Sequence, residues 1–230
     1  MKREEIEQTT KGVLTDFRGS KNLLVSFGGI KQGLGMPVFE FFNSISDIDC
    51  DKVFIRDFKQ AWYQKGVDEQ LDTSGKIVEY LKKVLSENGY NNVCFLGNSM
   101  GGYAAILFGS ILNVGKVIAF SPQSYIDWWN RFKNLEKRWT RQMLRIYFYK
   151  GKNKAYFDLK KHLSINNNYK TNINIFYSTQ DRLDKIHSER LKMNKHVMLH
   201  PISKGGHDVV LEIRNSGELK PLLLSIFKMV

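Results

Sequence analysis

Apolar residues in this chain fall into short runs separated by polar, turn-forming stretches, and the runs alternate between two periods. Compact apolar runs at 23–27, 52–56, 93–97, 116–121, 172–178 and 196–202 read as buried strands, too short for helices and rich in β-branched and aromatic residues. Apolar positions recurring every three to four residues predict helices at 69–87, 100–112, 184–193, 208–214 and 218–229, with a short helix near 39–45 after a loop at 28–38. Strands alternating with helices imply a mostly parallel sheet covered by helices on both faces. In such a sheet a site belongs at the carboxyl ends of the strands. One stretch, 122–170, breaks the alternation. It holds Trp128, Trp129 and Trp139 together with Phe132, Tyr147, Phe148, Tyr149, Tyr156 and Phe157, and much of it should be helical.

Between the run at 93–97 and the helix at 100–112 lies Gly97-Asn98-Ser99-Met100-Gly101. A serine between two glycines at a strand-to-helix turn is the G-x-S-x-G pattern of a nucleophile elbow. The turn lifts the hydroxyl out of the sheet edge, and the glycines leave room for it. The helix that follows aims its N-terminus, and the Met100 N–H, at an oxyanion formed beside Ser99.

An activated serine needs a base and a group that orients the base. In the serine–acid–histidine order both lie downstream, each after a strand. Asp181 follows the run at 172–178 and is the expected acid, while Asp184, three residues on, reads as a helix cap. The run at 196–202 leads into Ser203-Lys204-Gly205-Gly206-His207, a glycine-rich loop that carries a histidine back toward the serine, so His207 is the expected base. His162 and His187 sit among polar helical residues and read as surface positions; His196 and His200 read as packing residues of a strand. The run at 23–27 ends in Gly28-Gly29, where backbone can approach a substrate closely, and Gly29 is the expected second oxyanion donor. Arg56 and Asp57 end the run at 52–56 on the same side of the sheet. With Trp62, Trp128 and Trp129 they are candidates to line the substrate pocket, although Arg56 and Asp57 could instead form a pair that holds the 57–68 loop.

These motifs, from the strand at 23–27 to the His207 loop, resemble a small serine esterase of the α/β-hydrolase superfamily. The resemblance implies the α/β-hydrolase fold, with 1–121 and 171–230 as core and 122–170 as an inserted helical lid. It also implies a triad of Ser99, Asp181 and His207. Phe54-Ile55-Arg56-Asp57 with Trp62-Tyr63 and Gly66, and Phe120-Ser121-Pro122-Gln123, are similar to motifs in hydrolase-like proteins of bacterial surface-polysaccharide and accessory-secretion clusters. That second resemblance implies an acyl ester on a glycan or glycoconjugate as substrate. Ester hydrolysis is the leading expectation. A thioesterase or acyltransferase using an acyl carrier, or a non-catalytic assembly protein on the same fold, stays open.

Charge narrows the partners. Lys and Arg number 35 against 23 Asp and Glu, a formal net charge of +12. Between 122 and 170, twelve basic residues face three acidic ones, so most of that excess is local. It suggests an anionic substrate, carrier or surface. No nucleic-acid-binding motif accompanies it. Two cysteines, Cys50 and Cys94, make no disulfide framework or metal cluster, and no cofactor is expected. The charged N-terminus lacks the apolar core of a signal peptide and no apolar run spans a bilayer, so a cytoplasmic location is expected. These patterns fix no oligomeric state.

Overall fold

The computed structural model describes residues 11–30, 41–165 and 168–227. Its strands are β1 (Val13–Asp16), β2 (Asn22–Phe27), β3 (Asp51–Ile55), β4 (Asn92–Asn98), β5 (Lys116–Phe120), β6 (Asn172–Ser178) and β7 (Val197–Ile202). They form one seven-stranded sheet in the order β1-β3-β2-β4-β5-β6-β7. All neighbours are parallel except β1, which pairs antiparallel with β3 at the edge. The described helices are α1 (Ser74–Asn88), α2 (Met100–Leu112), α3 (Trp128–Lys133), α4 (Thr140–Tyr147), α5 (Leu159–Ile165), α6 (Arg182–Glu189), α7 (Val209–Asn215) and α8 (Leu219–Leu224).

The sheet divides the core in two, and the period of the strands shows in the division. Leu23, Val25, Phe27, Phe95, Val117, Ala119, Ile173 and Ile175 point to the face packed by α1, α2 and α5. Their neighbours Leu24, Cys94, Leu96, Ile118 and Phe120 point to the opposite face, against α7 and α8. Helix α2 runs beneath the sheet centre and is buried from Met100 to Ser110. Its small residues let it lie close to the strands. Helix α1 is amphipathic instead, burying Ile77, Leu81 and Val84.

Several boundaries differ from the sequence pattern. The helix expected from 69 begins at Ser74, because Thr73 caps it by accepting the Lys76 N–H. Asp68 ties down the preceding turn by accepting from Gln70 and Leu71. The short helix expected near 39–45 starts outside the described residues; its described part, 41–47, is turns. Strand β1 has no counterpart among the expected strands, being four half-buried residues at an edge. The connection from β5 to β6 contributes three short helices, α3, α4 and α5, with turns and irregular stretches between them.

Candidate active site

Ser99 stands between β4 and α2 with φ 52° and ψ −114°, a backbone conformation unusual for a residue with a side chain. Such strain costs about 1–3 kcal/mol and persists only where its surroundings enforce it. Here the Ser99 N–H donates to the Phe120 carbonyl at 2.8 Å, and the Ser99 carbonyl accepts from the Tyr103 N–H at 3.0 Å. The two glycines are required by contact. A Cβ on Gly97 would collide with the Gly101 carbonyl, and one on Gly101 with the Phe27 carbonyl.

The elbow, the strand before it and the loop after β7 bring Ser99 and His207 together. His207 lies in a single 3-10 turn, Gly206–Asp208, entered through Gly205 at φ 91°. Its Nε2 is 3.1 Å from Ser99 Oγ. Its Nδ1 is 2.8 Å from both carboxylate oxygens of Asp184. A carboxylate at Nδ1 fixes the proton there, which leaves Nε2 to accept the serine hydroxyl.

The acid against the histidine is thus Asp184, not Asp181, and the two expected roles are exchanged. Asp181 is the N-cap of α6, its Oδ1 accepting the Asp184 N–H at 2.9 Å. Asp184 lies in the first turn with its side chain fully buried. Strand proximity favoured Asp181, but a cap is spent on its own helix, and the residue three positions on is turned inward. The Asp-x-x-Asp spacing accounts for Asp181 as the cap of the Asp184 N–H, and does not by itself say which carboxylate meets the histidine.

Behind Asp184 the structure adds a network that the sequence pattern did not suggest. Arg138, in the β5–β6 connection, donates from Nη1 to Asp184 Oδ1 at 2.9 Å. Its Nε and Nη2 grip Glu136 at 3.0 and 2.7 Å. Glu136 in turn accepts from His187 Nε2 at 3.2 Å. The Ser124 N–H donates to His187 Nδ1 at 3.0 Å, so this ring is neutral with its proton on Nε2. His187, expected at the surface, is fully buried and packs against Tyr125, and His162 is buried beside Ser110. Burial lowers the pKa of His187 despite Glu136. Burial would raise the two carboxyls, but their partners outweigh it. His207 and Arg138 hold Asp184 below its ordinary range, and His187 and Arg138 bring Glu136 to about 2.

The other candidates divide. Met100 is the first residue of α2, within the turn whose N–H groups lack intrahelical acceptors. Gly29 is the second residue after β2. The Gly28 N–H is taken by the Ile55 carbonyl at 2.9 Å, and the Gly28 carbonyl accepts from Tyr63 Oη at 2.9 Å, which pins this loop beside the elbow. Asp57 and Trp62 are not exposed to solvent. Asp57 is buried and accepts from the N–H groups of Lys59, Ala61 and Tyr63, holding the loop after β3, and Trp62 is wholly interior. Nor do Arg56 and Asp57 form a pair, for Arg56 stacks over the Phe58 ring at 4.2 Å. Trp128 and Trp129 are on the surface, 66% and 69% exposed. Among the described residues no group of three or more His, Cys, Asp or Glu is placed to hold a metal ion, and no helix is long and apolar enough to cross a membrane.

No family model matches the chain, and no curated protein matches it by sequence. Solved structures do match. The capsule O-acetyltransferase of Neisseria meningitidis serogroup A superposes with a TM-score of 0.66 at 18% identity, over 92% of this chain and 90% of that one. A chain of the glycosylation-associated protein (Gap123) complex from Streptococcus agalactiae superposes with a TM-score of 0.64 at 19% identity, over 94% of this chain but 44% of that one. MGS-MChE2, an α/β-hydrolase enzyme from a lagoon-sediment metagenome of Mar Chica, Morocco, gives a TM-score of 0.60 at 21% identity, over 94% of each chain. With its parallel sheet, its strand-to-helix elbow and these neighbours, the chain has the α/β-hydrolase fold.

Proposed function

We propose that the protein is a serine-nucleophile acyl-ester enzyme, acting on an acyl group carried by a glycan or glycoconjugate. The observation that carries this reading is the unbroken chain from Ser99 Oγ through both His207 nitrogens to Asp184, at 3.1 and 2.8 Å, built on a strained elbow. In the first step Ser99 Oγ attacks the acyl carbon while its proton passes to His207 Nε2. The tetrahedral oxyanion is held by the Met100 and Gly29 N–H groups. Collapse breaks the bond to the alcohol, which leaves with the proton from Nε2, and the acyl group stays on Ser99. Water, its proton taken by His207, then releases the acid. Asp184 keeps Nδ1 protonated throughout and stabilises the imidazolium that forms at each step. The β5–β6 connection acts as a lid over the site, with Arg138 as its link to the acid.

Acyl transfer differs only in the second step, where a sugar hydroxyl replaces water. The likeness to a capsule O-acetyltransferase, one structure of which is a complex with CoA, favours keeping that branch, with a thioester as acyl donor. The glycan assignment draws on the same neighbour and on the motifs around Arg56 and Ser121.

A fluorophosphonate probe tests the reading directly. The intact chain should be labelled covalently and Ser99→Ala should not; an unlabelled wild-type chain would overturn it. Unlabelled enzyme offered acetylated oligosaccharides, aryl acetates and acetyl-CoA with a sugar acceptor then separates hydrolysis from transfer.

A further inference from the structure

The β5–β6 connection carries a surface that the Ser99 site does not use. Helix α3 and the turn after it leave Trp128, Trp129, Phe132 and Leu135 between 65% and 69% exposed. Just beyond α4, Phe148 is 82% exposed, and Leu144 on α4 is 43% exposed. Apolar side chains of this size normally seek the interior. Trp128, Phe132, Leu135 and Leu144 line a groove of about 420 Å³ together with Met143 and Tyr147, and Trp129 stacks beside Phe132. A contiguous apolar face of this kind marks an interaction site.

What surrounds the face says what it meets. From 128 to 154 the sequence holds nine Lys and Arg and a single acidic residue, Glu136. Glu136 is buried and committed to Arg138 and His187. Lys133, Lys137, Arg141, Arg145 and Lys150 are all exposed. None of them enters an ion pair among the described residues. Protruding Trp and Phe, flanked by cations with no exposed carboxylate between them, match the two components of an anionic lipid interface. A sugar cleft would instead need carboxylates or amides to orient hydroxyls. The amides nearest the face, Asn130 and Asn134, are turned to Asp127, Asp158 and the Asn130 carbonyl.

We infer that the α3–α4 face of the β5–β6 connection is a membrane-docking surface that attaches the protein peripherally to anionic bilayers. The aromatic side chains enter the headgroup region, and the lysines and arginines meet the lipid phosphates. This inference is independent of the ester chemistry proposed for Ser99 and needs no turnover to test.

The test is co-sedimentation of the full chain with large unilamellar vesicles of phosphatidylcholine, alone or mixed with phosphatidylglycerol. Binding is expected only to the mixed vesicles. It should weaken sharply between 0.1 and 0.5 M salt, since about 10 Å of screening length shrinks by half or more. Tryptophan emission should shift to the blue on binding. Trp128→Ser/Trp129→Ser/Phe132→Ser should lose at least about tenfold in partitioning, with unchanged thermal unfolding because these side chains are exposed. Trp128→Phe/Trp129→Phe should keep binding but lose the blue shift, and Lys133→Glu/Arg141→Glu/Arg145→Glu should abolish binding. Failure to sediment with anionic vesicles would overturn the inference and leave the face to a protein partner. Equal binding by the serine or glutamate variants would also overturn it, because attachment would then lie elsewhere.

Discussion

Exchanging the amides for the two carboxylates of α6 separates the site seen in the structure from the one suggested by strand position. In Asp184→Asn the side chain keeps its size, but one of its two acceptor oxygens becomes a donor. His207 Nδ1 sits 2.8 Å from both positions, so at least one contact becomes a clash of donors, unless the ring flips its proton to Nε2. With Nε2 protonated, His207 can no longer take the Ser99 proton across 3.1 Å. In serine–histidine–acid sites this tautomer error costs about four orders of magnitude in kcat, or about 5 kcal/mol of transition-state stabilisation. The fold should suffer less, by about 1–3 kcal/mol, the worth of a charge-assisted hydrogen bond, because Arg138 keeps Glu136 as its partner. Asp181→Asn changes a cap into an equally good cap, since its oxygen still accepts the Asp184 N–H, and should alter stability by less than about 0.5 kcal/mol. The assay is hydrolysis of a small aryl acetate at neutral pH, with thermal unfolding measured on the same samples. Loss of activity in Asp181→Asn with near-normal activity in Asp184→Asn would refute the geometry.

Other predictions follow from the same contacts. Arg138→Met leaves Asp184 and Glu136 without their shared cation and should destabilise the fold by about 3 kcal/mol, at the low end for a buried pair because about a fifth of the arginine side chain is exposed; Arg138→Lys should recover part of it, read by urea unfolding. Glu136 is depressed from 4.5 to about 2, so its stabilisation is complete above pH 4.5 and fades as pH falls toward 2. The wild type should lose up to about 3 kcal/mol across that window, and Glu136→Gln should flatten that part of the pH–stability curve. Gly101→Ala should cost about 3 kcal/mol and most fluorophosphonate labelling, because its Cβ would meet the Phe27 carbonyl; soluble, fully labelled protein would show that the elbow relaxes easily.

The elements that carry the site were legible because each depends on near neighbours in the chain. The compact apolar runs of β2, β4, β5 and β6, bounded by turn residues, signal buried strands, and the glycines at 97 and 101 signal a turn that only a crowded elbow requires. The glycine loop after β7 placed His207 for the same reason. Choosing between Asp181 and Asp184 was not a local matter. Both stand at the start of one helix, and only the position of β7 and its loop decides which carboxylate faces the imidazole. The same limit hid Arg138. It stands 46 residues before Asp184 in sequence, and its neighbours read as one basic stretch until the connection folds back over α6. His187 read as polar surface because its helix is amphipathic, yet the face that carries it is covered by Ser124, Tyr125 and Glu136 from another part of the chain. Local sequence determined the central strands, the elbow and the serine at its tip; tertiary packing chose which carboxylate meets the histidine and which arginine backs it, because a buried charge is defined by what closes over it from a distance.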